Sequence, residues 1–279
     1  MIEDRELEKI AVSVRQKTLE IIYQAKAGHT GGSLSAVDIL VALYFDVLNN
    51  SPKKYQDENR DRFIMSKGHS VESLYAVLAQ RGYINADILK TYGQFNSVLA
   101  GHPIKKVPGI ELNSGALGHG LSVGVGMAIA AKRSNENFKV YVLMGDGEHG
   151  EGSIMEAAAA AGHYNLDNLI AIVDRNRLQI SGPTENVCKV DDLAKKYEAC
   201  GWNVIECDGN SINEIRNTLR ACPFSINSPS FIIAHTIKGK GISFIENKAE
   251  WHQKVPTIEQ MELANEELKK QMEELSYVG

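Results

Sequence analysis

Apolar positions along this chain switch repeatedly between helical and strand-like spacing. Leu7, Ile10, Ala11, Val14, Thr18, Ile21, Ile22 and Ala25 share one helical face, and Gly28 supplies a stop signal. The pattern predicts a second helix starting after Ser33 or Ser35 and carrying Val37, Leu40, Val41, Tyr44 and Leu48. A short strand is expected over 62–65, and a helix over about 71–81. Residues 92–120 are rich in Gly and Pro with little periodicity, and a helix is expected over 121–132. Two buried-strand runs, 139–144 (KVYVLM) and 169–174 (LIAIVD), flank an Ala-rich helix over 153–164. Further strands over 202–206 and 231–234 alternate with helices near 192–199 and 212–221, and a last helix spans about 258–275. Strands that alternate with helices in this way predict an α/β fold with a mainly parallel sheet flanked by helices. The expectation is one domain over 1–279.

Composition narrows the function. The 279 residues carry 30 Lys and Arg against 35 Asp and Glu, a net charge of −5, with no long basic run, which argues against a nucleic-acid partner. The stretch 112–131 lacks charge, but its first half holds Asn113, Ser114, His119 and three glycines, so a membrane span is not expected. Cys188, Cys200, Cys207 and Cys222 form no CxxC pair, and the charged N-terminus has no apolar signal core. Reduced thiols in a cytoplasmic protein are the expectation.

The sharpest local feature is Gly145-Asp146-Gly147, directly after the strand run KVYVLM. In parallel α/β sheets, ligands bind beyond the carboxyl ends of the strands. The next strand run ends in Asp174-Arg175-Asn176-Arg177-Leu178. If the two strands are neighbours, Asp146 and Asn176 face one another. A carboxylate, an amide oxygen and a backbone carbonyl then form a hard-oxygen site that suits Mg²⁺ or Ca²⁺ carried on a phosphate. The same residues also fit a plainer arrangement, in which Asp146 caps a helix and Asn176 serves a left-handed turn.

GDG, 28 residues, then Asn resembles the motif of the thiamine-diphosphate-dependent enzymes. The resemblance implies that Asp146, Asn176 and the main chain of Leu178 hold the metal, Mg²⁺ or another divalent ion, that bridges the diphosphate. Arg175 departs from the Asn or Asp common just before the ligand Asn. Four histidines add contexts of their own: His29 in AKAGHTGGSLS, His69 in MSKGHSVESLY, His102 in LAGHP and His252 in NKAEWHQKVP. These contexts are similar to those of transketolase. The resemblance implies that His29 and His252 contact the cofactor and the reacting carbons of the sugar, that His69 lies at the cofactor phosphates, and that His102 meets donor hydroxyls. Gly115-Ala116-Leu117-Gly118 looks like the family's GPLG loop, with Ala116 in place of Pro. Glu151 matches an interface glutamate of a proton relay, and Glu156 a second acidic position nearby.

The implied fold is the three-layer thiamine-diphosphate-binding fold, and the implied reaction is transfer of a two-carbon ketol unit from a ketose phosphate to an aldose phosphate within the pentose phosphate pathway. The cofactor supplies the organic chemistry while the protein orients it and moves protons. The resemblance covers only the diphosphate-binding part of a transketolase. It therefore implies a C-terminal subunit carrying the pyrimidine-binding domain, in a dimer of heterodimers. A 1-deoxyxylulose-5-phosphate synthase, an E1 subunit of a 2-oxo acid dehydrogenase and a non-catalytic assembly module remain as alternatives. NKAEWHQKVP favours transketolase.

Overall fold

A computed structural model of the chain describes residues 2–190 and 192–277. Met1, Asp191, Val278 and Gly279, which belong to the expected domain span, lie outside the described residues. The helices are α1 Asp4–Ala25, α2 Thr30–Ser35, α3 Val37–Ala42, α4 Val71–Arg81, α5 His119–Arg133, α6 Gly152–His163, α7 Thr184–Val187, α8 Leu193–Ala199, α9 Ile212–Arg220 and α10 Ile258–Ser276. The strands are β1 Arg62–Met65, β2 Val140–Gly145, β3 Leu169–Arg175, β4 Leu178–Gln179, β5 Gly182–Pro183, β6 Asn203–Asp208 and β7 Ser230–His235.

Five strands form one parallel sheet in the order β1-β2-β3-β7-β6. Side chains alternate between its two faces, as strand geometry requires. Tyr141, Leu143, Ile170, Ile172, Ile232 and Ala234 join one core with α1, α3, α4 and α9. Val140, Val142, Met144, Ala171, Val173, Phe231 and Ile233 join a second core with α5, α6 and α8. This explains the unbroken apolar runs in the sequence, because both faces of the central strands are covered. The chain moves from β2 to β3 over α6 on one face. It returns from β6 to β7, in the opposite direction across the sheet, over α9 on the other face, as a single crossover hand requires. A third cluster holds α10 against α1 through Val12, Leu19, Trp251, Met261, Ala264 and Leu268.

The three-layer α/β expectation holds, and most strand and helix ends lie within one or two residues of those predicted. The second helix is the main difference. It begins at Thr30, directly after His29, breaks at Ala36, and continues through α3 into a wider turn at Leu43–Val47. Glycines in TGGSLS disfavour a helix locally, but tertiary contact fixes it. A Cβ on Gly31 would lie 3.0 Å from Lys238, and one on Gly32 would lie 2.8 Å from Ser70. Residues 112–131 divide between a loop and α5, and no described helix is long and apolar enough to cross a membrane.

This topology places the carboxyl ends of β1, β2, β3 and β7 side by side along one edge of the sheet. The residues just past those ends, Lys67, Asp146, Asn176 and Lys238, therefore meet.

Candidate functional site

A cavity of about 390 Å³ opens at this edge, within the range of roughly 300–1,000 Å³ typical of cofactor and small-molecule pockets. Its walls include His29, His69, Gly115, Leu117, Gly145, Asp146, Gly147, Asn176, Leu178 and His252. The expected motif on neighbouring strands is present, since β2 and β3 pair with Gly145 opposite Asp174. Asp146 is almost fully buried. Its carboxylate accepts hydrogen bonds from the N–H of Arg177 (2.6 Å) and Gly147 (2.8 Å), and Arg175 reaches it at 3.2 Å. Burial, followed by the neighbouring Asp174, pushes the Asp146 carboxyl above the usual range. The Asn176 side-chain oxygen accepts from the Leu178 N–H (3.2 Å), and the Leu178 carbonyl accepts from Lys238 (3.2 Å). The plainer arrangement suggested by the sequence is present in part. Asp146 caps the turn at Gly147, but the left-handed residue is Arg177 and not Asn176.

The histidines converge. The ring centroids of His29, His69 and His252 lie 5.2, 5.4 and 5.5 Å apart, and His102 lies 6.5 Å from His29. Burial and nearby positive groups hold the imidazoles neutral: His29 is pushed down to about 4, His252 to about 3, and His69 well below 6.5. His102 packs over Gly115, whose φ of +141° and contact with the ring leave no room for a Cβ. Glu151 caps α6 and is exposed, as are Glu156 and Ala116, so these three predicted residues stand away from the buried part of the cleft.

Three buried carboxylates, none anticipated as site residues, tie the surrounding loops together. Glu72 accepts from the His29 N–H (3.1 Å), Ser33 (2.7 Å) and Tyr92 (2.8 Å), which fixes the turn that carries His29. Glu148 accepts from Ser66, the Gly118 N–H (2.9 Å) and the Gly145 N–H (3.1 Å), joining β1, β2 and the GALG loop. Asp174 accepts from Ser35 (2.6 Å), Thr236 and Asn176 (3.4 Å), and pairs with Lys67. The cleft lysines were missed as well. Lys67 also donates to the Gly32 carbonyl (3.0 Å), and Lys238 donates to His252 Nδ1 (2.9 Å). Burial, then Lys67, pushes Lys238 down to about 8. A glycine directly after each of Lys67 and Lys238 (SKGH, IKGKG) is the one trace of these roles in the sequence.

The sequence profile described as "Transketolase, thiamine diphosphate binding domain" matches residues 7–274. The chain belongs to the transketolase family. Among its relatives it is 52% identical over 261 residues to a subunit of the apulose-4-phosphate transketolase of Phocaeicola vulgatus, covering 94% of this chain and 93% of that protein. It is 53% identical to the corresponding apulose-4-phosphate transketolase subunit from Actinobacillus succinogenes, over 95% of this chain and 96% of that one. Among solved structures, the transketolase of Campylobacter jejuni superposes with a TM-score of 0.90 at 30% identity. That match covers 99% of this chain but 46% of the Campylobacter chain, so this transketolase-family chain spans about half the length of the solved enzyme.

The cleft fits thiamine diphosphate on its own chemistry. Two buried ammoniums, Lys67 and Lys238, face a space kept open by Gly32, Gly115 and Gly147. His29 Nδ1 at this cleft and Ser70 Oγ beside Gly32 are buried without hydrogen-bond partners. Among the described residues no cluster of three or more His, Cys, Asp or Glu is placed for a metal. A divalent ion would instead use the mixed oxygen set of Asp146, Asn176 and the Leu178 carbonyl.

Proposed function

We propose that this chain is the N-terminal subunit of a split transketolase that moves a two-carbon ketol unit from a ketose phosphate to an aldose phosphate. The observation that carries this reading is the convergence of His29, His69 and His252 over a cleft whose far wall holds Asp146 and Asn176. Asp146, Asn176 and the Leu178 carbonyl would hold Mg²⁺, with Ca²⁺ or another divalent ion as an alternative, against the diphosphate. His69, Gly115, Ala116, Leu117, Gly145 and Gly147 would line the cofactor, and His29, His102 and His252 would face the sugar. When bound, thiamine diphosphate supplies the carbanion-stabilising centre.

The chain's own residues orient and polarise. An ammonium can only donate, so Lys238 leaves His252 Nδ1 bare and its neutral ring protonated at Nε2. That ring enters the cleft as a hydrogen-bond donor. Neutral imidazoles can hydrogen-bond sugar hydroxyls without placing another positive charge beside the two lysines.

The near full-length match to proteins named as one subunit of a transketolase supports a partner subunit. In this reading the partner is C-terminal and carries the pyrimidine-binding domain, the assembly is a dimer of heterodimers, and Glu151 serves a relay at the interface. Those names also make apulose 4-phosphate the first donor to try. Four free thiols fit a cytoplasmic location. The test mixes the chain with its companion subunit, thiamine diphosphate, Mg²⁺, a ketose phosphate and an aldose phosphate. Ketol transfer should appear only in the mixture. Full-rate turnover by this chain alone, or none in a mixture that binds the cofactor, would overturn the reading.

A further inference from the structure

Arg175, the residue at which the sequence departs from the motif it otherwise resembles, ends β3 with its side chain against Asp146. The guanidinium is 11% exposed and is held by three side chains. Its Nη1 donates to Thr184 Oγ1 at 2.8 Å and to Asp146 Oδ2 at 3.2 Å, and its Nη2 donates to Glu185 at 2.9 Å. Thr184 is fully buried, and its N–H donates to the Arg177 carbonyl at 2.9 Å, so this anchor is itself fixed to the chain just past Asn176. Asp146 lines the cavity and Arg175 does not, so the guanidinium reaches the carboxylate from outside the cavity wall.

An ionised carboxylate offers about four lone-pair sites, two on each oxygen. Among the described residues, Asp146 Oδ2 accepts two hydrogen bonds, from the Arg177 N–H at 2.6 Å and from Arg175. Oδ1 accepts one, from the Gly147 N–H at 2.8 Å. The open site is therefore on Oδ1, and a cation meets the carboxylate through one oxygen while Arg175 holds the other. This bears unequally on two ions. Mg²⁺ demands a near-ideal octahedron and is satisfied by single oxygens, whereas Ca²⁺ takes about six to eight oxygens and readily uses both oxygens of one carboxylate.

We propose that Arg175 is a specificity-determining residue that restricts Asp146 to one coordinating oxygen and so favours Mg²⁺ over Ca²⁺. This rests on the reading of Asp146 as a metal ligand. The positive charge of Arg175 opposes both ions alike, and the occupied Oδ2 site is what separates them.

The experiment titrates the full chain, together with its companion subunit and thiamine diphosphate, with Mg²⁺ and separately with Ca²⁺ by calorimetry. The parent should bind Mg²⁺ at least as tightly as Ca²⁺. Arg175→Met removes the charge and frees Oδ2, so both ions should bind more tightly, with Ca²⁺ gaining about tenfold more than Mg²⁺. A purely structural role would move both affinities together. Glu185→Gln, at a residue whose side chain is 40% exposed, removes one anchor of the guanidinium with little burden on the fold, and should shift the ratio the same way by about threefold. Cooperative thermal melts identify the folded variants. An unchanged ratio in either folded variant, a shift toward Mg²⁺, or a parent that prefers Ca²⁺ by more than about tenfold would overturn the proposal. Binding of neither ion to the parent would refute Asp146 as a ligand and the proposal with it. Selective ion binding without ketol transfer would instead count against the reaction and leave the role of Arg175 standing.

Discussion

Replacing Lys67 by Met tests whether the buried Lys67–Asp174 pair organises the cleft. Lys67 is 2% exposed and Asp174 fully buried, so Lys67→Met keeps the bulk of the side chain and leaves an anion buried without its countercharge. Breaking a buried pair from one side costs about 3–5 kcal/mol. Asp174 keeps its hydrogen bonds from Ser35, Thr236 and Asn176, which places the expected loss near the lower end. For a chain of this size, ~3 kcal/mol corresponds to a fall in Tm on the order of 5 °C. Adding Asp174→Asn removes the stranded charge, and the double variant should recover about half of the loss or more. Burial alone would raise the Asp174 carboxyl, but the charge of Lys67 and the hydrogen bonds from Lys67, Ser35 and Thr236 outweigh it and hold it below the usual range. Stability from Asp174 is therefore present above the ordinary carboxylate pKa and is lost as pH falls through the lower folded value. Without Lys67, burial dominates and the folded pKa rises, so protonation relieves the variant as pH falls. The gap between parent and Lys67→Met should narrow from pH 7 to pH 4 in urea or thermal melts. A loss below about 1 kcal/mol, no recovery in the double variant, or a gap that widens in acid would refute the assignment.

Three further outcomes follow from particular side chains. Asp146→Asn keeps an acceptor for the Arg177 N–H but removes the carboxylate charge, so Mg²⁺-dependent binding of thiamine diphosphate by calorimetry should weaken by more than about tenfold while Tm stays near that of the parent. Unchanged binding by the folded variant would exclude Asp146 as a ligand. His149 is buried between the Gly145 carbonyl and Tyr197, and burial pushes it from 6.5 down to about 4. Its contribution to stability is therefore lost as pH falls across that window, by up to about 1.4 kcal/mol per pH unit, and His149→Gln should flatten the slope in acid melts. Gly162→Ala would place a Cβ 1.7 Å from the Cys200 carbonyl, whereas one on Gly126 meets nothing within 4 Å. The first should cost more than about 2 kcal/mol and the second should stabilise the isolated chain by up to about 1 kcal/mol. Equal effects of the two in denaturant titrations would contradict the packing at the end of α6.

What could be read from the sequence followed from how local the determining physics is. The runs over 140–144 (VYVLM) and 169–173 (LIAIV) are apolar throughout, because β2 and β3 are covered on both faces. Asp146 and Asn176 could be read because strand-end positions in a parallel sheet are predictable once the strands are recognised. TGGSLS could not, since its two glycines are there for close contact with Lys238 and Ser70, which lie far along the chain. The hairpin of β4 and β5 is two residues per strand and falls below any periodic signal. Glu72, Glu148 and Asp174 look like ordinary polar residues in sequence. Only the fold shows that each is buried and gathers hydrogen bonds from segments 20 to 139 residues away.

The lysines show the same limit through charge. A lysine is normally read as a solvated head on an apolar stem, and nothing local distinguishes Lys238 from Lys240. In the fold Lys67 is neutralised by Asp174, but Lys238 donates to two uncharged acceptors, the Leu178 carbonyl and His252. Among the described residues no carboxylate lies within ion-pair distance of it, although it is buried and its pKa is depressed. Burying an ammonium without a counterion is costly, and folded proteins keep such a group where an anion arrives to complete it. The surplus positive charge therefore lies beside the Leu178 carbonyl and the histidines that line the cleft.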